Sequence, residues 1–559
     1  MRTTVSVLAL AGLLWAGAAS AAEAPADLVF WGGPIHTADD AHPTAQAVAV
    51  RGGRIAYVGD RKGAQAFVGA KTRVVDLKGA ALFPGFTDAH AHLYGIGQRE
   101  LTLNLEGIQS AAALAQAVKA HADKTPGTGP VLGRGWIETH WPEKRFPTRQ
   151  DLDAVVADRP VVLVRADGHA MVANSAALKL AGVDRNTKAP SGGDILKDAN
   201  GEPTGMLIDA AMSLMSALAQ QPTPEEMRRT FQAGFKVYSE YGWTGLHNMS
   251  VPWDQALMLE DFAKAGELPL RVYNAVTPEA GKMLLAGGPR DAADSRVVTR
   301  TIKFYADGAL GSRGAALFEK YHDADTTGLV QMKAEDVVPV YEEALRKGIQ
   351  VATHAIGDRG NSLVLDWYAQ AFAEVPTAER KVAEPRWRVE HAQILTPADI
   401  ARFPALHVIP SMQPSHAIGD LHFAPSRLGE ERLAGAYAWK SLIAAGAIVP
   451  AGSDAPVERG DPRIEFYAAV ARKDLSGFSA PDWHPEQAVD RETALKMFTL
   501  WPAYASFAEK DLGSIVVGKR ADFSVFDVDL MTVPEAAIPK AKALMTVVDG
   551  KTAFRAPGW

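Results

Sequence analysis

The sequence predicts an α/β chain: a (β/α)8, TIM-like barrel with a small β-sandwich domain built from both termini and a long insertion after the first barrel strand. Three observations predict it. Through the middle of the chain, apolar strand-like runs alternate with helical segments. Both ends are β-rich with turn signals. Several of the middle runs end on histidine or aspartate, as barrel strands do where they carry chemistry. At 559 residues the chain is too long for one small domain but has room for a barrel with an appended module.

The first element is not part of the fold. "MRTTVSVLALAGLLWAGAASAAEA" has Arg2, an apolar stretch from Val5 to Trp15 and small residues ending in Ala19-Ser20-Ala21. That is the layout of a cleavable secretory signal over residues 1–21, cut before Ala22. The run is short for a membrane span, and the single arginine argues against twin-arginine export. The sequence contains 0 cysteines, which excludes disulfides, thiolate ligands, a cysteine nucleophile and a lipid-modified N-terminal cysteine. The expectation is a periplasmic or secreted protein. Hydrophobic residues at 47%, charged residues at 22% and a net charge of −7 give no reason to expect nucleic acid or an anionic membrane as partner. The partner expected is a small-molecule substrate, with a homo-oligomer left open.

Residues 22–80 read as short strands ("DLVFWGGPIHT", "AQAVAVRGGRIAYVGD", "TRVVDLKG"), with Gly52-Gly53 as a hairpin signal. Residues 510–559 repeat that texture, and the two stretches are expected to form the sandwich. The barrel takes residues 81–509. Its strands are expected at Ala81–His90, Thr244–Met249, Leu268–Ala275, Thr301–Asp307, Gln350–His354, Arg386–His391, His407–Met412 and Ile448–Asp454. "AEDVVPVYEEALRKG" and "NSLVLDWYAQAFAEV" are among the helical stretches between them. The insertion covers about residues 95–224 and carries strand-like pieces of its own, "VLGRGW" and "PVVLVRAD".

The segment "FPGFTDAHAH" places His90 and His92 one residue apart at the end of the first strand, where positions i and i+2 share a face. Two imidazoles so placed either share a metal ion or are solvated loop residues. The remaining strand ends weigh for the metal: Lys303 lies in the fourth strand, His354 ends the fifth, His391 the sixth and Asp454 the eighth. Nitrogen and carboxylate oxygen donors suit zinc and neighbouring divalent ions.

"PGFTDAHAH", "RADGHAMVANSAAL", "IKFYADGALGSR", "HAIGD", "RVEHAQ", "SMQPSH", "GSDAPVE" and "GKRADF" follow one another in order over almost the whole mature chain. This series resembles the amidohydrolase superfamily, in its amidohydrolase-3 branch of YtcJ-like and N-substituted formamide deformylase-like proteins. The resemblance implies two divalent ions, with zinc expected. His90 and His92 would hold one, His354 and His391 the other, and an N6-carboxylated Lys303 would bridge them. A carbamate is chemically apt, since an ammonium among imidazoles and cations is repelled and offers no acceptor. The plain alternative for Lys303 is a salt-bridged lysine.

Two ions sharing a solvent molecule make hydroxide available near neutral pH. Asp454 then serves as general base and acid beside the metals, unless it only caps the following helix. Substrate contacts are expected from His416, with His169 and Arg313 as weaker candidates that read equally as a packed histidine and a surface arginine. Trp136, Trp141 and Phe146 read more readily as core than as an apolar leaving-group pocket. His36, His42, His121, His322 and His484 fit no motif. Asn248, where relatives often carry Asp, puts substrate contacts near the second strand in doubt.

The function expected is hydrolysis of a C–N bond in an amide, N-formyl or cyclic amide substrate. The alternatives are ester or lactone hydrolysis at the same centre and, less well supported by the complete ligand set, a non-catalytic extracytoplasmic binding protein.

Overall fold

Gly85 divides what the sequence reads as one strand. In the computed structural model, Ala81–Pro84 pairs antiparallel with Phe523–Phe526, while Phe86–Ala91 pairs parallel with Trp243–Val251. A Cβ on Gly85 would lie 2.2 Å from Thr244 Oγ1, so only glycine allows the chain to pass from one sheet into the other. The structure describes residues 24–559 except 126, 128, 139–140, 167, 169, 191–192, 219–221 and 481–482. The expected signal segment and His169 lie outside the described residues.

The two termini share one sheet. Its hydrogen-bonded order is Lys551–Arg555, Ala543–Val548, Phe523–Phe526, Ala81–Pro84, Leu28–His36, Thr44–Arg51 and Arg54–Gly59, with Arg73–Asp76 beside Leu28–His36. Phe30, Ile35, Val48 and Val50 from the first stretch pack with Phe523, Val525 and Val547 from the last in one apolar core. Seven of these strands follow one hydrogen-bonded path, in which Leu28–His36 meets Ala81–Pro84 through the Ile35–Leu82 pair, and Arg73–Asp76 branches from it beside Leu28–Trp31.

The barrel contains seven parallel strands: Phe86–Ala91, Trp243–Val251, Arg271–Val276, Val297–Tyr305, Gln350–Ala355, Arg388–His391 and Ile409–Ser411. The eighth expected strand, Ile448–Asp454, is reduced to a single bridge between Met412 and Ala451. Pro450 has no N–H to give a ladder, which leaves the pairing sparse. The segment still spans the gap. Met412 N donates to Pro450 O and Gly452 N to Met412 O on one side; Ala89 N donates to Ala451 O and Asp454 N to His90 O on the other. The barrel closes through these bonds.

Between the first and second strands, a six-stranded sheet runs from Leu103–Asn104 to Pro203–Asp209 over its own apolar core. Trp136 and Trp141 lie in that core with ring centroids 6.2 Å apart. Their indole N–H groups donate to Leu163 O and Ile108 O, and Phe146 packs against them. Among the described residues the cluster is part of the insertion's apolar core. Helix Pro224–Tyr241 returns the chain to the barrel. Thr223 and Glu226 form a reciprocal capping box at its start, and Gly242, at φ 106°, ends it.

Gly452 is the tightest point of closure: a Cβ there would lie 2.3 Å from His90 N and 2.7 Å from Asp88 Oδ1. Gly452→Ala is expected to destabilise the protein by about 1–3 kcal/mol, through the strain of forcing extra volume into a packed core. Thermal unfolding checks this; an unchanged Tm would show that the seam has room.

Candidate metal centre

The first strand ends in a hydrogen-bonded clamp. Asp88 Oδ1 accepts from His90 N at 3.1 Å and from Ser453 N at 2.9 Å. Its Oδ2 accepts from Ser453 Oγ at 2.6 Å and Tyr238 Oη at 3.0 Å. One buried carboxylate therefore joins the strand carrying His90 to the segment carrying Asp454. Burial pushes the Asp88 carboxyl up to about 6, against the pull of these donors.

Three imidazoles meet around Asp454, each oriented through Nδ1. His90 Nδ1 donates to Glu390 Oε2 at 2.6 Å, His92 Nδ1 to Met249 O at 3.1 Å, and His391 Nδ1 to Gln413 Oε1 at 2.7 Å. With Nδ1 so engaged, Nε2 is the nitrogen left to ligate, and that of His92 is hydrogen-bonded to Asp454 Oδ1. His90 Nε2 and His92 Nε2 lie 3.4 and 3.1 Å from Asp454 Oδ1. His90, His391 and Asp454 offer ligand atoms within 4.8 Å of one another. His90 Nε2 is also buried with no hydrogen-bond partner. A buried, unpartnered lone pair beside a carboxylate and a second imidazole fits a divalent ion.

His354 packs against His391 with ring centroids 4.5 Å apart, but its Nε2 lies 3.5 Å from Asp307 Oδ1. Asp307 accepts from the N–H groups of Ala316, Ile356 and Gly357, fixing the loop beside the fifth strand. Lys303 is 1% exposed, and its Nζ stands 4.5 Å from the Tyr305 ring centroid. Among the described residues Lys303 makes no hydrogen bond and no ion pair. The salt-bridged alternative has no counterpart in this arrangement.

The expected substrate residues divide. The His416 ring stacks on His391 at 5.8 Å, and its Nε2 is 3.6 Å from Asp454 Oδ2. Arg313 engages Asp323 with Nε at 3.1 Å and Nη2 at 2.8 Å, and Arg427 shares that carboxylate. Its guanidinium is thus committed to the loop. Asn248 is also committed: its Oδ1 accepts from Leu93 N and its Nδ2 donates to Asn274 Oδ1. The amide fixes the turn after His92, and the doubt over substrate contacts falls away from it.

Sequence reasoning passed over Asp88, Glu390, Gln413 and Ser453, although all four lie inside quoted motifs. The available signal was alternation: Asp88 precedes His90 by two, and Arg388 precedes Glu390 by two, so each pair shares a strand face. Arg388 Nε is 2.7 Å from Glu390 Oε1, and its other nitrogens donate to Ala89 O, Ser411 Oγ and His247 Nδ1. Burial pushes the Glu390 carboxyl up, but Arg388 and His90 overcome it and hold it down to about 2.

Burial, then the Lys303 ammonium, lowers His90 to about 4 and His354 to about 3. Burial with His354 and His90 lowers His391 well below the usual imidazole value. For Asp454, burial opposes the charge, but His90, His92 and His391 hold the carboxyl well below its usual range. Neutral imidazoles and an ionised carboxylate are the protonation states a metal needs.

The model of the "Amidohydrolase family" matches residues 73–554. YtcJ of Bacillus subtilis is 33% identical over 94% of this chain and 99% of its own length. The N-substituted formamide deformylase of Arthrobacter pascens is 29% identical over 95% of this chain and 99% of its own. Among solved structures, an uncharacterized metal-dependent hydrolase from Pyrococcus horikoshii superposes with a TM-score of 0.75 at 27% identity, covering 91% of this chain and 99% of that one.

In metal-stripped protein, His90 and His354 are expected to stay neutral from pH 8 down to about pH 5, because their lowered values displace protonation below the ordinary midpoint near 6.5. Histidine-selective NMR, assigned with single His→Gln variants, reads this directly. A midpoint near 6.5 for either ring would contradict the burial argument.

Proposed function

The chain belongs to the amidohydrolase family, and on that premise we propose that it hydrolyses the C–N bond of an amide, N-formyl or cyclic amide at the centre around Asp454. The single observation that carries the reading is the convergence of His90, His391 and Asp454 on one point, with His90 Nε2 buried and unpartnered. The full-length likeness to the formamide deformylase supports the choice of bond.

The residues proposed to hold metal are His90 and His92 for one ion and His354 and His391 for a second, with Asp454 at the first and Lys303 between them. Zinc suits the imidazole and carboxylate donors. A divalent ion, when bound there, lowers the pKa of water and polarises a carbonyl. Asp454 takes the proton of the attacking water and delivers it to the leaving nitrogen as the C–N bond breaks. Glu390 and Gln413 hold His90 and His391 in the required tautomer throughout. His416, whose Nε2 lies 3.6 Å from Asp454 Oδ2, is the residue we propose for substrate contact.

Lys303 is proposed to carry a carbamate: its neutral amine adds to carbon dioxide, an N–C bond forms and a proton leaves to solvent. The support is its burial with no hydrogen bond and no ion pair among the described residues. An uncompensated buried ammonium is costly, and carboxylation replaces it with an anion that metals neutralise. The proposal also covers residues 1–21 as an export signal and hence an extracytoplasmic site of action. It takes 22–80 with 510–559 as one module, and 81–509 as the hydrolase unit.

The test is turnover of matched amide and ester analogues by metal-reconstituted protein. Chelation is expected to abolish hydrolysis and a divalent transition ion to restore it; activity in protein shown to hold no metal would overturn the reading. Asp454→Asn, nearly the same size, should lose on the order of 10²-fold or more in kcat; a near-normal rate would mean that another group moves the proton. Lys303→Ala should bind fewer ions and be nearly inactive, with partial rescue by formate or acetate. Full metal content and full rate in that variant would remove the bridge from the account.

A further inference from the structure

Lys303 and Tyr305 stand two residues apart on the fourth barrel strand, Val297–Tyr305, and so share a face. Ile302 takes the other face, since a Cβ on Gly281 of helix Pro278–Gly287 would lie 3.0 Å from its side chain. Phe304 does the same, meeting Tyr341 of helix Ala334–Lys347 edge-on at 5.3 Å between ring centroids. With those two against the outer helices, Tyr305 points inward, one layer nearer the mouth than Lys303. Its ring centroid lies 4.5 Å from Lys303 Nζ and 5.5 Å from that of His354. Tyr305 is 36% exposed, so a small molecule entering the mouth meets it.

A second observation concerns the second strand, Trp243–Val251. Its register with the third strand shifts between Asn248 and Val251, and Ser250 sits at φ 58°, a left-handed backbone that serine rarely adopts. Bulges at barrel rims re-aim side chains beside active sites, and this one has two visible effects. Met249 O is turned to His92 Nδ1, and the Ser250 hydroxyl is hydrogen-bonded to the Tyr305 hydroxyl in an exposed position. Tyr305 therefore spans the mouth. Its ring lies beside His354 and Lys303, and its hydroxyl beside the strand end that orients His92. Among the described residues this is the only hydrogen bond of either hydroxyl. A phenol donates one hydrogen bond and accepts others, so each retains capacity for a further partner.

We infer that Tyr305 is a catalytic residue that donates a hydrogen bond to the carbonyl oxygen of the substrate. Ser250 is its positioning residue: by donating to Tyr305 Oη it leaves the phenol proton free to turn into the mouth. The inference rests on the hydrolase reading for the identity of that oxygen. As water adds to the carbonyl carbon and Asp454 takes its proton, the C=O π pair moves to oxygen. The hydrogen bond from Tyr305 strengthens with that charge, and Tyr305 keeps its proton. The pair returns to re-form the carbonyl as the C–N bond breaks and Asp454 protonates the nitrogen. A donor held in place beforehand costs no reorganisation during the step, and a chain from Ser250 through Tyr305 to the oxygen polarises each bond in turn.

Metal-loaded full-length protein provides the test. Tyr305→Phe keeps the ring beside Lys303 and His354 and removes only the hydroxyl. It should lower kcat for N-butylformamide by about 10²-fold, the loss typical of one such donor, with metal content and Tm unchanged. N-butylthioformamide, whose sulfur is the poorer acceptor, should lose less than about tenfold in the same variant. Ser250→Ala breaks the same hydrogen bond but leaves the phenol, and should lose about tenfold or less on the formamide. Three results overturn the inference while leaving the hydrolase reading intact: a near-normal formamide rate in Tyr305→Phe, equal losses for oxygen and sulfur substrates, or a loss in Ser250→Ala as large as in Tyr305→Phe. Calorimetric binding of pentylphosphinate needs no turnover. Its P–H and two oxygens stand where the tetrahedral adduct of the formamide has C–H and two oxygens. Wild type should bind it about tenfold or more tighter than Tyr305→Phe. Equal affinities overturn the inference even if no formamide is hydrolysed, an outcome that would count separately against the hydrolase reading. Should Tyr305→Phe fail to fold, a crystal structure of wild type with pentylphosphinate decides. A phosphinate oxygen within about 3 Å of Tyr305 Oη supports the inference, and a Tyr305 bonded to Ser250 alone overturns it.

Discussion

The buried carboxylate of Asp88 is the contact on which the site depends. The eighth barrel segment has almost no ladder of its own, because Pro450 lacks an N–H and only Ala451 forms a bridge. What holds it against the first strand is a handful of bonds, and Asp88 contributes two of them through Ser453 while also fixing the backbone of His90. Gly452 permits the approach and Asp88 locks it. His90 and Asp454, more than 360 residues apart in sequence, are brought to 3.4 Å by this seam.

The electrostatic design of the centre follows from burial. Imidazoles removed from water lose their protons, and the buried Lys303 ammonium drives them further in the same direction. Carboxylates removed from water would normally protonate as well. Asp454 escapes because three imidazoles surround it, and Glu390 because Arg388 and His90 do. Arg388 in turn satisfies three further acceptors and so tolerates its own burial. Neutral nitrogen donors thus stand beside an ionised carboxylate at neutral pH, before any ion arrives.

Much of this was legible in the sequence because the chemistry sits at strand ends, where a short apolar run closing on histidine or aspartate is visible. His90, His391 and Asp454 were readable in that way. The hand-over at Gly85 was not: its cause is the Thr244 side chain, which is 159 residues away and has no local signal. Nor was the reduced eighth strand, where Pro450 interrupts a run whose apolar character still reads as strand. The orienting acceptors Glu390 and Gln413 stood in plain view within motifs, but their roles depend on which ring nitrogen they meet across the barrel. Arg313 shows the converse limit, since its sequence position suits a pocket while Asp323 occupies its guanidinium.

The most direct measurement is an anomalous difference map from crystals of the metal-loaded protein, collected at the absorption edge of the bound ion. The account predicts a peak among His90, His92 and Asp454, with a second beside His354 and His391 on the other side of Lys303. Anomalous density placed elsewhere, or a site that stays empty in protein that has full hydrolytic activity, would contradict it.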